Sequence, residues 1–368
     1  MRLLVFVSTL NNGGVATVVL NQVRACVRLS SEFHIDFACC VPPSPERSRE
    51  LERLGATVYK LTSFSSNPLA YCKDARRAIC ESECDAVHVH LGHLNWLVCC
   101  IAKSCGVEKR IMHSHSPLPR SSSVPFKIAM ALAPSLNRRY ATTMFACSEA
   151  AGIACFGTGF EFLPNIVEFP LGPENDTPSS GGYDSEFSYD VTQGLRLGFM
   201  GALDANKRPE FVLTISERLA EEGVEHCLFI AGDGPRRRKI EALAAGNPHV
   251  RILGQRNDPL SLIRYFDYLL MPSAVEGMSL SVLEAQLSGT MCIASDSIPR
   301  TNDLGFGLFR QLPCDNPEGW ANLIKGTGKD YKVPTKAQMM RRLAAIGYDS
   351  DSVARRLLVA YGIKQQEQ

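Results

Sequence analysis

Short apolar runs recur along this chain, each closed by Gly, Ser, Asn or Pro and each followed by a longer amphipathic stretch. Leu3–Val7, His34–Cys40, Ala56–Tyr59, Ala86–His90, Arg110–His113 and Thr142–Ala146 read as strands, too short and too β-branched or aromatic for helices. Their alternation with helical stretches predicts a doubly wound parallel sheet whose ligand edge lies where the strands end. A second series begins at Leu195. Leu195–Met200 closes at Gly201, Asp204-Ala205-Asn206-Lys207-Arg208-Pro209 follows, and an amphipathic helix starts at about Glu210. His226–Ala231 runs into Gly232-Asp233-Gly234-Pro235 and a basic helix, and Tyr268–Met271 runs into a Pro/Ser/Gly loop with a helix from near Ser279. Helices continue to Lys325, and after the polar stretch 326–334 two more are expected, at about 335–345 and 350–363. Between the two series, residues 171–194 carry Pro173, Pro178 and Gly181-Gly182 and read as an exposed linker or long loop.

With 368 residues the chain has length for two domains, each with its own core. A formal net charge of +1 argues against a nucleic-acid binder. The balance is uneven: residues 1–139 are rich in Lys and Arg, whereas 140–190 hold acids and no Lys or Arg. The 14 cysteines sit mostly inside apolar runs such as Ala38-Cys39-Cys40 and Val98-Cys99-Cys100, with no Cys-x-x-Cys pair, so they read as buried reduced thiols of a cytosolic protein. No apolar run reaches the ~20 residues of a spanning helix, and Met1–Val7 is broken too early by Ser8-Thr9 for a signal peptide. The chain is expected to be soluble and cytoplasmic. Peripheral contact with the inner face of the membrane stays open, because Val124–Leu132 with Pro134, Arg138 and Arg139 combines apolar bulk with cations, as a buried helix with a solvated end also would.

The densest chemistry lies in Pro272–Ala285. A strand enters a loop holding Glu276, and the helix after it carries Glu284. The free N–H groups of the first helical turn near Gly277, Met278, Ser279 and Leu280 suit a phosphate. Glu276 suits sugar hydroxyls and Glu284 a ribose diol, although one solvated and one capping charge would give the same spacing. Lys207 and Arg208 are cations for a diphosphate leaving group, or a solvated surface pair. Gly13-Gly14, between the first strand and a helix, lets the backbone approach a ligand, or is a simple turn. His88 and His90 share one strand face and His113 and His115 another. Lacking a carboxylate at ligand spacing, they are expected to be packing or cleft residues, with no metal bound.

The ordered set of Gly201 with Lys207, Gly232-Asp233-Gly234-Pro235, Val250–Gly254, Met271-Pro272-Ser273, Glu276-Gly277, Glu284-Ala285-Gln286 with Gly289, and Ser295-Asp296 resembles the family-4, GT-B-fold retaining glycosyltransferases, especially bacterial capsule and exopolysaccharide members. Asn11-Asn12-Gly13-Gly14-Val15, Arg110–His115, Ala146-Cys147-Ser148 and Leu163-Pro164-Asn165 extend the resemblance over nearly the whole chain. It implies an α/β fold of two Rossmann-like domains facing a cleft. Residues 1–170 would bind the acceptor, 171–194 link, 195–345 bind the nucleotide sugar, and 346–368 cross back onto the first lobe. It further implies retaining, metal-independent transfer of a hexosyl unit from a nucleoside diphosphate sugar, a UDP-sugar, with no cofactor beyond the donor. The acceptor would be a saccharide or a polyprenyl-diphosphate-linked saccharide.

By the same resemblance His115 borders the transferred sugar, with His90 a second cleft candidate and His88 and His113 structural. Lys207 and Glu276 act with His115 at the reacting centre. Gly13, Gly14, Arg208, Gly232, Gly277, Met278, Ser279, Leu280 and Glu284 contact the donor. The chain departs from the family at Ala202, where an Arg usually follows the glycine. Either Arg208 substitutes, or phosphate stabilisation is weaker, or activity is lost. A non-catalytic nucleotide-sugar-binding partner subunit is therefore the rival reading. A glycosidase using Glu276 and Glu284 fits poorly, because such a pair flanks the scissile bond.

Overall fold

The computed structural model describes residues 1–11, 13–117, 124–167, 194–256 and 258–363, with the side chains of 124–130 excepted. The linker expected at 171–194 falls outside the described residues except for Gly194, as do the side chains of residues 124–130 of the expected interfacial patch, whereas Leu132 of that patch is exposed. The chain divides into two compact units, Met1–Glu168 with Ala344–Gln368, and Phe169–Leu343.

The first unit is built on β1 (Arg2–Thr9), β2 (His34–Val41), β3 (Val58–Lys60), β4 (Ala86–Val89), β5 (Lys109–Ser114), β6 (Thr143–Ala146) and β7 (Glu161–Phe162). They form one sheet in the order β3-β2-β1-β4-β5-β6-β7, paired in parallel throughout. Successive side chains of a strand point to opposite faces, and both faces are covered. Leu3, Val5 and Val7 pack with Val19, Leu20 and Val23 of the helix Gly14–Leu29, whereas Leu4 and Phe6 pack with Tyr71, Ala75 and Ile79 of the helix Pro68–Ser82. Burial on both faces is why β1 reads as an unbroken apolar run. β3 starts two residues later than Ala56, because the Ala56 amide closes the preceding helix on Leu51 O. β7, with only two residues, carries no periodic signal.

The second unit repeats the plan with β8 (Leu195–Met200), β9 (His226–Ala231), β10 (Val250–Gly254), β11 (Tyr268–Met271), β12 (Met291–Ser295) and β13 (Phe309–Leu312), in the order β10-β9-β8-β11-β12-β13. The helices Pro209–Glu221 and Pro317–Thr327 cover one face. Pro259–Tyr265 and Leu280–Leu287 cover the other. In each sheet the strand order reverses once, between β1 and β4 and between β8 and β11, and the loops leaving those strands diverge to opposite faces there.

The helix Ser350–Tyr361 belongs to the first unit. Asp349 caps its start by accepting from Ser352 N at 2.8 Å, and Asp351 pairs with Arg28, so the Asp349-Ser350-Asp351 triplet serves helix initiation and docking. Val353, Ala354, Leu357, Leu358 and Tyr361 enter the core with the helix Gly14–Leu29. Tyr361 stacks on Phe33 with ring centroids 5.5 Å apart. Eight cysteines are buried and all 14 are free thiols; burial pushes Cys26 and Cys155 up to about 12, so they behave as small apolar side chains. Among the described residues no helix is long and apolar enough to cross a membrane.

Leu357 is fully buried, so Leu357→Ala should destabilise the first unit by about 2–5 kcal/mol through lost burial and an unfilled cavity. The check is a lower urea midpoint in the transition followed by a first-unit probe.

Candidate functional site

At the strand-order reversal of the second sheet, the loop after β8 and the loop after β11 are joined side by side. Asn206 makes the joint. Its carbonyl accepts from Ala274 N at 2.7 Å, its Nδ2 donates to Val275 O at 3.0 Å, and its Oδ1 accepts from Val275 N at 3.0 Å. Asp204 bends the first loop by accepting from the amides of Asn206 and Lys207, both at 2.9 Å, a local turn of the kind short polar side chains favour. Lys207 is thereby delivered to Glu276, with Nζ 2.5 Å from Oε1. Both side chains are largely buried, at 19% and 15% exposure, so their attraction is less screened than that of a surface pair.

A third loop is pinned to the first. Leu203 N donates to Asp233 O and Arg236 N to Leu203 O, each at 2.9 Å. Gly232 has a packing role: a Cβ there would lie 1.8 Å from Gly201 O, at a φ of +148°. Close backbone contact between the two loops demands that glycine. Arg208 holds a left-handed φ of 51° and reaches the Cys314 thiol, which burial pushes up and the Arg208 guanidinium partly offsets. Ala202 is exposed.

The helix Leu280–Leu287 begins without a side-chain cap from Ser279. Instead the Ser279 amide donates to Asn302 Oδ1 at 2.7 Å, and Asn302 Nδ2 donates to Gly277 O at 3.0 Å. Gln286 Nε2 holds Asn302 in place through its carbonyl, at 2.7 Å. The Ser279 amide is therefore occupied, and the first-turn amides that follow it, from Leu280 onward, are the ones left without an intrahelical acceptor. Ser295 Oγ fixes the same loop through Ser273 O at 2.5 Å. Glu284 lies half-buried on the helix face that also carries Leu280 and Ser281. Desolvation pushes its carboxyl up to about 7. It has neither an ion pair nor a side-chain hydrogen bond among the described residues, so it retains its full accepting capacity for a ligand.

In the first unit, Gly13 has a φ of +122°, and a Cβ on Gly13 or Gly14 would meet none of the described residues within 4 Å. Among the described residues packing does not explain these glycines, and no side chain caps the start of the helix Gly14–Leu29. Asn12 of the same motif lies outside the described residues. The four histidines of β4, β5 and the residues just after them form one stack. His90 Nδ1 lies 2.8 Å from His115 Nε2, and His115 Nδ1 lies 3.3 Å from Asn165 Oδ1. His88 Nδ1 meets the Tyr361 hydroxyl at 2.8 Å, and the rings of His88 and His113 are parallel to within 3°. Burial holds His88, His90 and His113 well below the usual imidazole range, and His115 at about 4. All four are neutral near pH 7. His115 engages both ring nitrogens within the protein, so a sugar hydroxyl would have to displace one of those bonds.

Sequence reasoning quoted Asn206 and Gln286 within their motifs but gave them no role, and it missed Asn302. Asn206 was findable, since Asp204-Ala205-Asn206 is a turn-forming pattern. Asn302 lies 23 residues beyond the amide it binds, and no local signal announces it.

Two family models match, "Glycosyl transferase 4-like domain" over residues 13–156 and "Glycosyl transferases group 1" over 194–327. Together they take in most of the chain, including β2–β6 of the first sheet and the whole of the second. The chain belongs to the family-4, GT-B-fold glycosyltransferases. EpsF of Bacillus subtilis (strain 168), itself assigned to the glycosyltransferases, is 29% identical over 100% of this chain and 97% of its own length. The capsular polysaccharide biosynthesis glycosyltransferase CapH of Staphylococcus aureus is 22% identical over 86% of this chain and 88% of its own. Among solved structures, Anabaena HepE in complex with UDP superimposes with a TM-score of 0.76, 18% identity and coverage of 98% and 99% of the two chains. That likeness shows a common fold. With the family in hand, the switch-point loops of the second unit fall inside the group 1 match, and the histidines inside the other.

Asn206→Ala removes two side-chain bonds between the switch-point loops. Hydrogen exchange at the Val275 amide should accelerate about tenfold, as loss of about 1.4 kcal/mol of local protection implies.

Proposed function

We propose that this protein transfers a hexosyl unit from a UDP-sugar to an acceptor hydroxyl, with retention of anomeric configuration, during synthesis of a cell-surface polysaccharide. The observation that carries this is the second-sheet switch point, where Lys207 from the loop after β8 pairs, largely buried, with Glu276 from the loop after β11, and that second loop leads into a helix whose start lacks a side-chain cap and whose half-buried Glu284 carboxyl has no partner among the described residues. Three features of a sugar nucleotide find counterparts there: a diphosphate for Lys207 and the helix start, a ribose diol for Glu284, and sugar hydroxyls for Glu276. CapH, whose name places it in capsular polysaccharide biosynthesis, and a fold shared with a UDP-bound structure support the donor and pathway class.

In this reading Lys207 exchanges Glu276 for the donor phosphate and stabilises the charge that develops as the sugar leaves. Glu276 is then released toward the sugar. The departing phosphate accepts the acceptor proton, so the protein supplies positioning and charge rather than a dedicated base. A diphosphate-bridging divalent ion is not needed, and turnover is expected to be the same with and without added magnesium. The first unit takes a saccharide or polyprenyl-diphosphate-linked saccharide acceptor. Ala202, exposed where the family carries a cation, favours the second reading of a donor-binding subunit without turnover.

Burial holds Glu284 mostly protonated below about pH 7. If it accepts the ribose hydroxyls as a carboxylate, UDP binding must expel that proton, and affinity must rise with pH. The ratio of wild-type to Glu284→Gln affinity should grow about tenfold from pH 6 to pH 8. Calorimetry with UDP reads this directly, and a pH-independent ratio would remove Glu284 from the donor site.

Product formation from radiolabelled donor and a lipid-linked acceptor separates the two readings. Arg208→Ala should lower turnover by about 10²-fold, the scale of one preformed charge stabiliser, and Ala202→Arg in that background should restore part of it. No product from the wild type across a donor panel that it binds would favour the donor-binding subunit.

A further inference from the structure

On the face of the first sheet that is covered by the helices Gly14–Leu29 and Ser350–Tyr361, β4 and β5 bring His88, His90 and His113 together. One ring nitrogen of each lies within 4.8 Å of the other two, and all three side chains are buried, at 1%, 6% and 1% exposure. Among the described residues, His88 Nε2 and both nitrogens of His113 have no hydrogen-bond partner. A neutral imidazole always carries one N–H and one lone pair, so His113 leaves both unsatisfied in either tautomer. Buried polar atoms in that state need an explanation, an ion being one.

The surroundings orient the other two rings. His88 Nδ1 meets the Tyr361 hydroxyl and His90 Nδ1 meets His115, each at 2.8 Å. With those nitrogens donating, Nε2 of each is left as a lone pair. This is how metal-bound histidines are usually held, one nitrogen on the metal and the other on an outer partner. We propose that His88, His90 and His113 form a binding site for one late first-row divalent cation of the zinc type. A set of neutral imidazoles suits zinc or cobalt and does not suit magnesium or calcium. Tetrahedral zinc at ~2.0–2.1 Å from each nitrogen separates its ligands by roughly 3.4 Å, so binding draws the three rings together. A solvent-derived hydroxide in the fourth position offsets part of the charge. The ion would tie β4 to β5 and, through Tyr361, to the C-terminal helix. It serves the first unit and is independent of the donor reading.

The test uses the full chain without a histidine tag, loaded with excess zinc, desalted and measured by plasma mass spectrometry, then stripped and titrated with cobalt(II). The expected result is about one equivalent of zinc and the visible bands of tetrahedral cobalt. His113→Asn and His90→Gln should each lower affinity about a hundredfold, and His249→Asn, from the stacked His226–His249 pair of the second unit, should leave it unchanged. The proposal is overturned if the wild type retains less than about a tenth of an equivalent, or if a folded His113→Asn or His90→Gln variant takes up cobalt as the wild type does. Should neither variant fold, the wild-type titration decides alone, and uptake that fails to saturate at one ion per chain overturns it.

Discussion

In both sheets every strand is parallel to its neighbours and the central strands are covered by helices on both faces, and this double burial governs where chemistry can reside. A polar side chain within such a strand would lose water on either face. Reactive groups are therefore displaced to the loops beyond the carboxyl ends of the strands. Where the strand order reverses, the two adjoining loops lead to helices on opposite faces, and a crevice forms between them. Lys207 and Glu276 occupy those loops, and Asn206 converts two loops that would otherwise part into one unit. The positions of the cation and the carboxylate depend on that joint more than on either loop's own conformation.

The two glutamates of this region illustrate how environment separates like residues. Glu276 has a cation against it, so its charge is compensated within the fold. Glu284 has none among the described residues and stands in the helix that follows, desolvated to the point where its proton is retained near neutrality. A ligand rich in hydroxyl donors relieves the second state, and an anionic ligand competes for the partner of the first. Nucleotide sugars carry both kinds of group. The Asn302–Gln286 brace adds a further selection, since it occupies the Ser279 amide and leaves the donors of the following turn for an anion.

The first unit departs from the rule of apolar strands. Four histidines alternate along the ends of β4 and β5 on the face roofed by the C-terminal helix, and Tyr361 of that helix meets the deepest of them. Neutral imidazoles are the polar groups that such a position tolerates best, because they can be buried without charge. His115, at the outer end, connects this interior stack to Asn165 and to the edge of the sheet.

Much of this was legible in one dimension. Apolar runs closed by Gly or Pro, alternating with amphipathic stretches, marked two parallel sheets, because a strand buried on both faces must be apolar throughout and a surface helix must not. Lys207, Glu276 and Glu284 were visible as candidates, since loop and helix-start positions follow from local patterning. Their partners were not. The joint between residues 206 and 274–275, the brace from Asn302, the stacking of His88 with His113 and the link from Tyr361 to His88 all connect residues brought together by strand order and helix crossing, and sequence spacing carries no record of those distances. The demand for glycine at 232 likewise arises from the carbonyl of residue 201 on the neighbouring strand's loop. Local chemistry could be read from the chain because it depends on adjacent residues; charge compensation and desolvation required the fold, because both depend on neighbours distant in sequence.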